Sequence, residues 1–218
     1  MSTQAETFTY RLYYSRTGAL TYVGHLDMMR LFERSLLRAK LDCAYSKGFN
    51  PSIKMVFALP VGVGVEVSYD PLEIEFTKEY EPAFLKEILN SSLVADVRII
   101  DVFMVEKRKK SLMSLVDRAT YSFHFQGIGG FVAEIETRDE IIAERFQSGR
   151  TVPLDIRPLI LSLTSENLDQ LTGIFKAGSR ANLRPDLFLQ GLVAEGKFTD
   201  QDALSTRIIR EHVYLLDE

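Results

Sequence analysis

Phe8-Thr9-Tyr10-Arg11-Leu12-Tyr13-Tyr14, and the run from Leu26 to Ala39 that follows it, decide how this chain folds. Apolar and polar residues alternate through the first stretch, the period of a strand. Arg16-Thr17-Gly18-Ala19-Leu20 supplies a turn. Leu26, Met29, Phe32, Leu36 and Leu37 then favour one side of a helix. Working outward, Val56 to Leu59 and Leu72 to Phe76 read as strands. Glu81-Pro82 opens a helix through Leu89, since proline is tolerated in a first helical turn, and Val97 to Val105 is a further strand. The order is β-α-β-β-α-β, the split βαβ pattern that packs helices on one face of an antiparallel sheet.

The second half reads as similar in outline. Tyr121 to Phe125 and Phe131 to Glu136 suggest a hairpin across Gly127-Ile128-Gly129-Gly130, and Asp139 to Phe146 a short helix. Ile156 to Thr164, interrupted at Pro158, and Leu171 to Lys176 are strand candidates. Pro185 to Ala194 is a helix and Arg207 to Leu215 a final strand. The expected fold is α+β: two tandem ferredoxin-like (split βαβ) modules with antiparallel sheets, residues 1–115 and 116–218, joined near residues 112–118. One continuous sheet is the alternative.

With 218 residues and 46% hydrophobic composition the chain builds a real core, in one domain or two small ones. No long uncharged apolar run is present to cross a bilayer, and Met1 to Thr7 lacks a hydrophobic signal region. A cytoplasmic protein with no membrane association is expected. The single cysteine, Cys43, makes no internal disulfide, no thiolate-rich metal site and no self-contained iron–sulfur centre. It is expected to pack as a small apolar group. His124 and His212 are far apart in sequence, and no metal site is assigned.

The formal charge of -4 argues against general adhesion to nucleic acid. The charge is uneven, however. Residues 1–60 hold eight basic and four acidic side chains, and residues 61–97 hold two basic and eight acidic. That contrast sets a local basic patch beside an acidic region and suits either nucleic acid or protein docking.

The most suggestive motif is Tyr45-Ser46-Lys47-Gly48-Phe49-Asn50-Pro51. A solvent loop rarely needs two aromatic rings beside basic side chains, whereas a surface that handles bases or clasps a protein does. Tyr45 or Phe49 suits stacking on an unpaired base, and Lys47 and Lys54 suit phosphate. Asn50 suits a base edge, or a bond to its own backbone ahead of Pro51. Phe49 alternatively anchors the loop to the core. Arg30, Arg34 and Arg38 fall along one helical flank with Asp27, suited to successive phosphates or to an ordinary solvated face with local ion pairs.

A histidine side chain can titrate near neutrality, which makes His25 the proton-transfer candidate. No serine, cysteine or carboxylate arrangement completes a triad around it, so no catalytic residue is assigned. The plainer reading is that His25 holds the helix start. In Gly178 to Asp186, Arg180 and Arg184 suit a carboxylate or phosphate clamp oriented by Asn182, next to the amide donors of a helix starting at Pro185. The alternative is a shaped turn with an Arg184–Asp186 contact. Lys107-Arg108-Lys109-Lys110 reads as a wet strand edge or an RNA contact. Glu73 and Glu75 read as one solvated strand face. Pro60-Val61-Gly62-Val63-Gly64 reads as a turn, not a phosphate loop.

At Gly24-His25-Leu26-Asp27, Phe32-Glu33-Arg34 and Tyr45 through Pro51 the chain resembles the radical-SAM-linked protein family, a domain of unknown function (DUF2344-like). Phe57-Ala58-Leu59-Pro60, Val61-Gly62-Val63, Gly178 and Asn182-Leu183-Arg184-Pro185 extend the match, which spans most of residues 8–215. The resemblance implies an accessory to a radical-SAM enzyme, with a link to RNA or ribosome-related metabolism. Such a partner would carry the iron–sulfur cluster, S-adenosylmethionine and cobalamin, while this chain would carry no cofactor. It further implies that His25, Asp27, Arg34, Tyr45, Lys47, Phe49, Asn50 and Pro51 form a shared surface. The chain departs from the family pattern at Ser52, where relatives place a polar aromatic or histidine-like residue, and at Ala181, where they place glycine. Three functions follow: an RNA-binding or substrate-presenting accessory handling structured or single-stranded RNA, a protein-only docking subunit, or a metal-independent RNA-processing enzyme using His25.

Overall fold

Tyr10, Leu12 and Tyr14 lie on one side of the first strand and are almost wholly buried, as its period requires. The computed structural model describes residues 6–147 and 149–216; of the Met1–Thr7 stretch read above, residues 1–5 lie outside it. The chain divides into two compact units, Met1–Leu115 and Val116–Glu218.

In the first unit, β1 (Phe8–Arg16) pairs antiparallel with β3 (Val65–Phe76) on one side and β4 (Val97–Val105) on the other. The short β2 (Met55–Phe57) pairs with β3. Helices α1 (His25–Arg38) and α2 (Pro82–Ser92) contribute Met28, Phe32, Leu36, Leu85 and Leu89 to the core. Phe32 meets Tyr14 and Phe57 edge-on, with centroids 5.4 Å away in each case, a favoured geometry for aromatic pairs. The buried Arg16 guanidinium donates to the carbonyls of Val23, Gly62 and Val65. It thereby joins the approach to α1 to the Pro60–Gly64 turn, where Gly64 adopts φ 82°.

In the second unit, β5 (Val116–His124) lies between β9 (Gln170–Lys176) and β10 (Arg207–Leu215), and β8 (Ile160–Asn167) pairs with β9. Helix α4 (Pro185–Ala194) brings Phe188 against Phe123 and Phe175, with centroids 5.0 and 4.9 Å away.

Two discrete ferredoxin-like modules are not what this chain forms. One eight-stranded sheet runs in the order β4-β1-β3-β10-β5-β9-β8, with β2 on β3, and β6 (Ile142–Gln147) and β7 (Arg150–Asp155) make a separate two-stranded sheet. The second half also fails to repeat the element order of the first. The hairpin expected across Gly127 to Gly130 is a 3₁₀ turn, Ile128–Phe131, leading into the short helix α3 (Val132–Glu136). The buried apolar side chains there are Ile128 and Ile135, seven apart, which is two helical turns and not an alternating strand. Gly129 has no room for a side chain, because a Cβ would fall 2.2 Å from the Asn167 carbonyl oxygen.

The helix expected over Asp139 to Phe146 is strand β6, with Ile141 and Ala143 buried two apart. Its partner β7 was not foreseen. Pro153 is tolerated there because a two-stranded sheet leaves an unpaired edge. The hairpin packs on α4 at Gly191, where a Cβ would lie 2.8 Å from Ile156 Cδ1. Helix α5 (Asp200–Ser205) also escaped the sequence reading, although Thr199 and Asp202 form a reciprocal capping box.

Candidate functional site

The Tyr45–Pro51 motif stands on a narrow backbone stalk. Ala44 N–H donates to Glu75 O at 2.8 Å, Glu75 N–H to Lys54 O at 3.0 Å, and Lys54 N–H to Ala44 O at 2.8 Å. Beyond the Tyr45–Ile53 bridge, Ser46 N–H donates to Ser52 O, and Ser52 N–H donates to Ser46 Oγ at 3.0 Å. Ser52 thus clasps the loop through its backbone, and its hydroxyl lies 3.2 Å from Ser46 Oγ. Lys47, Gly48, Phe49, Asn50 and Pro51 form the tip.

Phe49 is fully exposed, with 106% relative accessibility, and Tyr45 is 47% exposed. The reading of Phe49 as a core anchor is therefore wrong: the ring touches no core residue. Leaving a phenylalanine outside forgoes about 1.5–3 kcal/mol of burial. Lys47 and Asn50 are exposed, and their side chains make no hydrogen bond or ion pair among the described residues.

Helix α1 presents the neighbouring cations. Arg30 Nη1 donates to Asp27 Oδ1 at 2.9 Å, and Gly24 occupies the N-cap. Arg34 and Arg38 are exposed and have no ion-pair partner among the described residues. Lys40, which the sequence reading missed, adds a cation just past the helix in the left-handed region, at φ 54°. Its signal was available: a helix ends at Arg38, and residues after a helix C-terminus often turn left-handed.

His25 sits apart from the loop tip. Its ring meets Phe57 edge-on at 5.2 Å, as the outer member of the Tyr14–Phe32–Phe57 cluster. Extended backbone from Ile53 to Phe57 separates that point from the loop base by roughly 13 Å. His25 thus packs against Phe57 at the helix start.

Lys54 does not serve as a free cation. Glu75 takes it at 3.0 Å and Lys107 at 3.4 Å, while Glu73 takes Arg11 at 3.0 Å and also Arg108. Glu73 and Glu75 are therefore the anchors of an ion-pair network and not a solvated face. Half of the Lys107–Lys110 run is spent inside it. Burial pushes the Glu75 carboxyl upward, but the hydrogen bonds and charges of Lys54 and Lys107 outweigh it and leave Glu75 below its ordinary range. Cys43 is buried, and desolvation, with Asp42 nearby, pushes its thiol up to about 11, so it is an inert packing group.

In the second unit the loop before α4 does not act as one clamp. Arg184 pairs with Asp186 at 2.9 Å and lines a cavity of about 500 Å³ together with Glu144, Phe146 and Gln190. Arg180 lines a different cavity, of about 320 Å³, with Lys176 and Asp117. Asn182 is exposed and lines neither. His124 pairs in register with Arg207, five residues from His212 along β10, so the two rings share no site. Among the described residues no group of three His, Cys, Asp or Glu side chains is placed to hold a metal ion. No helix among them is long and apolar enough to cross a membrane.

Residues 9–185 match the model of a family described as an uncharacterized protein conserved in bacteria (DUF2344). The chain belongs to the DUF2344 family. A search of curated proteins finds no match. The DUF2344 match runs from β1 to the first residue of α4 and so includes the Tyr45–Pro51 loop, helix α1, Arg180, Asn182 and Arg184.

Proposed function

We propose that this DUF2344 chain is an RNA-binding accessory that presents RNA to a radical-SAM enzyme, with the Tyr45–Pro51 loop as its contact. The observation that carries this reading is the solvent-facing ring of Phe49 beside Lys47 and Asn50, which are unpaired among the described residues. An unstacked base offers a π-face to such a ring, and its phosphate offers charge to the lysine. Arg34, Arg38 and Lys40 extend the cationic surface toward the end of α1. The radical-SAM partner rests on the motif resemblance. It would perform the bond-making chemistry with its own iron–sulfur cluster, S-adenosylmethionine and cobalamin.

Docking of a protein alone is the second reading, favoured by Leu26 and Leu37, which are exposed on the same helix. One assay separates the two. Single-stranded RNA is titrated into the full chain at low and moderate salt. Phe49→Ala should weaken binding by the ~1–3 kcal/mol typical of one stacked base. Lys47→Gln should reduce the salt slope by about 0.7. Absence of RNA binding at both salt concentrations refutes the proposal. Co-purification with a radical-SAM protein after nuclease treatment would then favour docking. Turnover of RNA by the purified chain, lost in His25→Ala with binding retained, would instead identify an enzyme.

A further inference from the structure

The 320 Å³ cavity of the second unit lies beside the start of β5 and the end of β9. Lys176 and Arg180 line it, with Asp117 and an apolar wall that includes Val116, Leu161 and Ala177. Neither Lys176 nor Arg180 has an ion-pair partner among the described residues. The register adds a third cation, because Arg118 stands directly opposite Lys176 in the β5–β9 pairing. Like charges opposed across a ladder destabilise it. The carboxylate of Asp117 turns to Arg118 Nη1 at 3.0 Å, and Arg118 also lies over the Tyr214 ring at 4.6 Å. Asp117 thus pairs with Arg118, which leaves the positive charges of Lys176 and Arg180 at the cavity.

We infer that this cavity is a binding site for a phosphate group. A phosphate dianion matches the excess charge and relieves the cross-strand repulsion, whereas a monocarboxylate neutralises only half of it. The guanidinium of Arg180 provides a forked donor and Lys176 a point charge, a combination suited to phosphate. The volume leaves space for a small organic part against the apolar wall.

The loop that carries Arg180 is tied down at both ends. Ala177 N–H donates to Asp117 O at 3.0 Å, and Leu183 N–H donates to Lys176 O at 2.9 Å. Between them Gly178 adopts φ 102° and lies so close to β5 that a Cβ would be 2.5 Å from the Val116 carbonyl oxygen. The site owes nothing to the RNA reading of the first unit, since it uses none of the same residues.

The test is calorimetric titration of the full chain at low ionic strength with inorganic phosphate and, separately, a nucleoside monophosphate. Acetate and the free nucleoside serve as controls. Saturable one-to-one binding of either phosphate ligand, with the controls silent, is the expected result. The tighter ligand of the two distinguishes free phosphate from a phosphorylated small molecule. Lys176→Gln and Arg180→Gln should each weaken binding by roughly tenfold or more. Asp117→Asn, which removes the competing carboxylate, should strengthen it, so the idea stays open to refutation even where a cation variant folds poorly. The Lys47/Phe49 variants should bind phosphate normally, which separates this site from the loop. No saturable binding at millimolar phosphate, equal binding of acetate, or undiminished binding by a folded Lys176→Gln/Arg180→Gln variant would overturn the inference.

Discussion

Replacing Arg16 with methionine keeps the length of the side chain and removes its donors. Three carbonyls depend on that guanidinium: Val23 O at 3.1 Å, Gly62 O at 2.9 Å and Val65 O at 2.5 Å. Only the Val65 contact is fully enclosed, so loss of the donor strands that oxygen at about 2 kcal/mol. Water reaches the other two in part and recovers much of each bond, leaving about 0.5 kcal/mol apiece. The expected loss of stability is about 3 kcal/mol. Arg16→Lys should fall between, because one ammonium reaches fewer of the three acceptors in that geometry. The chain has no tryptophan, so urea unfolding is best followed by far-ultraviolet circular dichroism. Hydrogen exchange supplies the local readout: amides of residues 24–28 and 62–65 should lose protection first. A methionine variant as stable as the parent, with unchanged exchange at both segments, would refute the reasoning. The buried ion would then be replaceable by apolar packing, as some buried charges are.

Two further outcomes follow from single contacts. Asn90 acts as a neighbouring strand at the edge of β4: Ile99 N–H donates to its Oδ1 at 2.8 Å, and its Nδ2 donates to Ile99 O at 2.9 Å. Asn90→Ala should cost about 2 kcal/mol in urea unfolding, and no loss would show that water replaces the amide. Glu75 is held below the ordinary glutamate value of 4.5, so its contribution is complete above that pH and is lost as the pH falls through the lower folded-state value. The stability gap between the parent and Glu75→Gln should therefore be constant near neutrality and shrink below pH 4.5. A gap that does not change with acid would mean that the carboxylate gains nothing from Lys54 and Lys107.

The elements of the first unit were legible because their signals are local. Alternation in Phe8 to Tyr14 marks a strand, of which Tyr10 to Tyr14 are all buried. On α1 the expected face holds at Phe32 and Leu36, whereas Leu26 and Leu37 are exposed and Met28 is buried. Pro82 and Pro185 mark helix starts for an equally local reason, a fixed φ and a missing donor. The second unit misled where two periods fit one short stretch, as at Phe131 to Glu136 and Asp139 to Phe146. Such runs are decided by what they pack against, here Gly129 on the β8–β9 turn and Gly191 on the β6–β7 hairpin.

The charges show the same division. Along the chain, basic residues 1–60 precede acidic residues 61–97, which reads as two patches. In space the two stretches are strand neighbours, and Arg11 and Lys54 are consumed by Glu73 and Glu75. The cations left over are Arg34, Arg38, Lys40 and Lys47, a smaller set than composition suggested.

By itself the amino-acid order determined the family, the order of strands and helices in the first unit though not the full length of β3, and a loop with two aromatic rings and a lysine. Only the tertiary structure decided that the strands join one large sheet, that Phe49 faces water, and that Arg180 and Arg184 line separate cavities. Periodicity and turn chemistry act within a few residues, whereas strand partners, ion pairs and cavities depend on segments far apart in the chain, whose encounter no local pattern specifies.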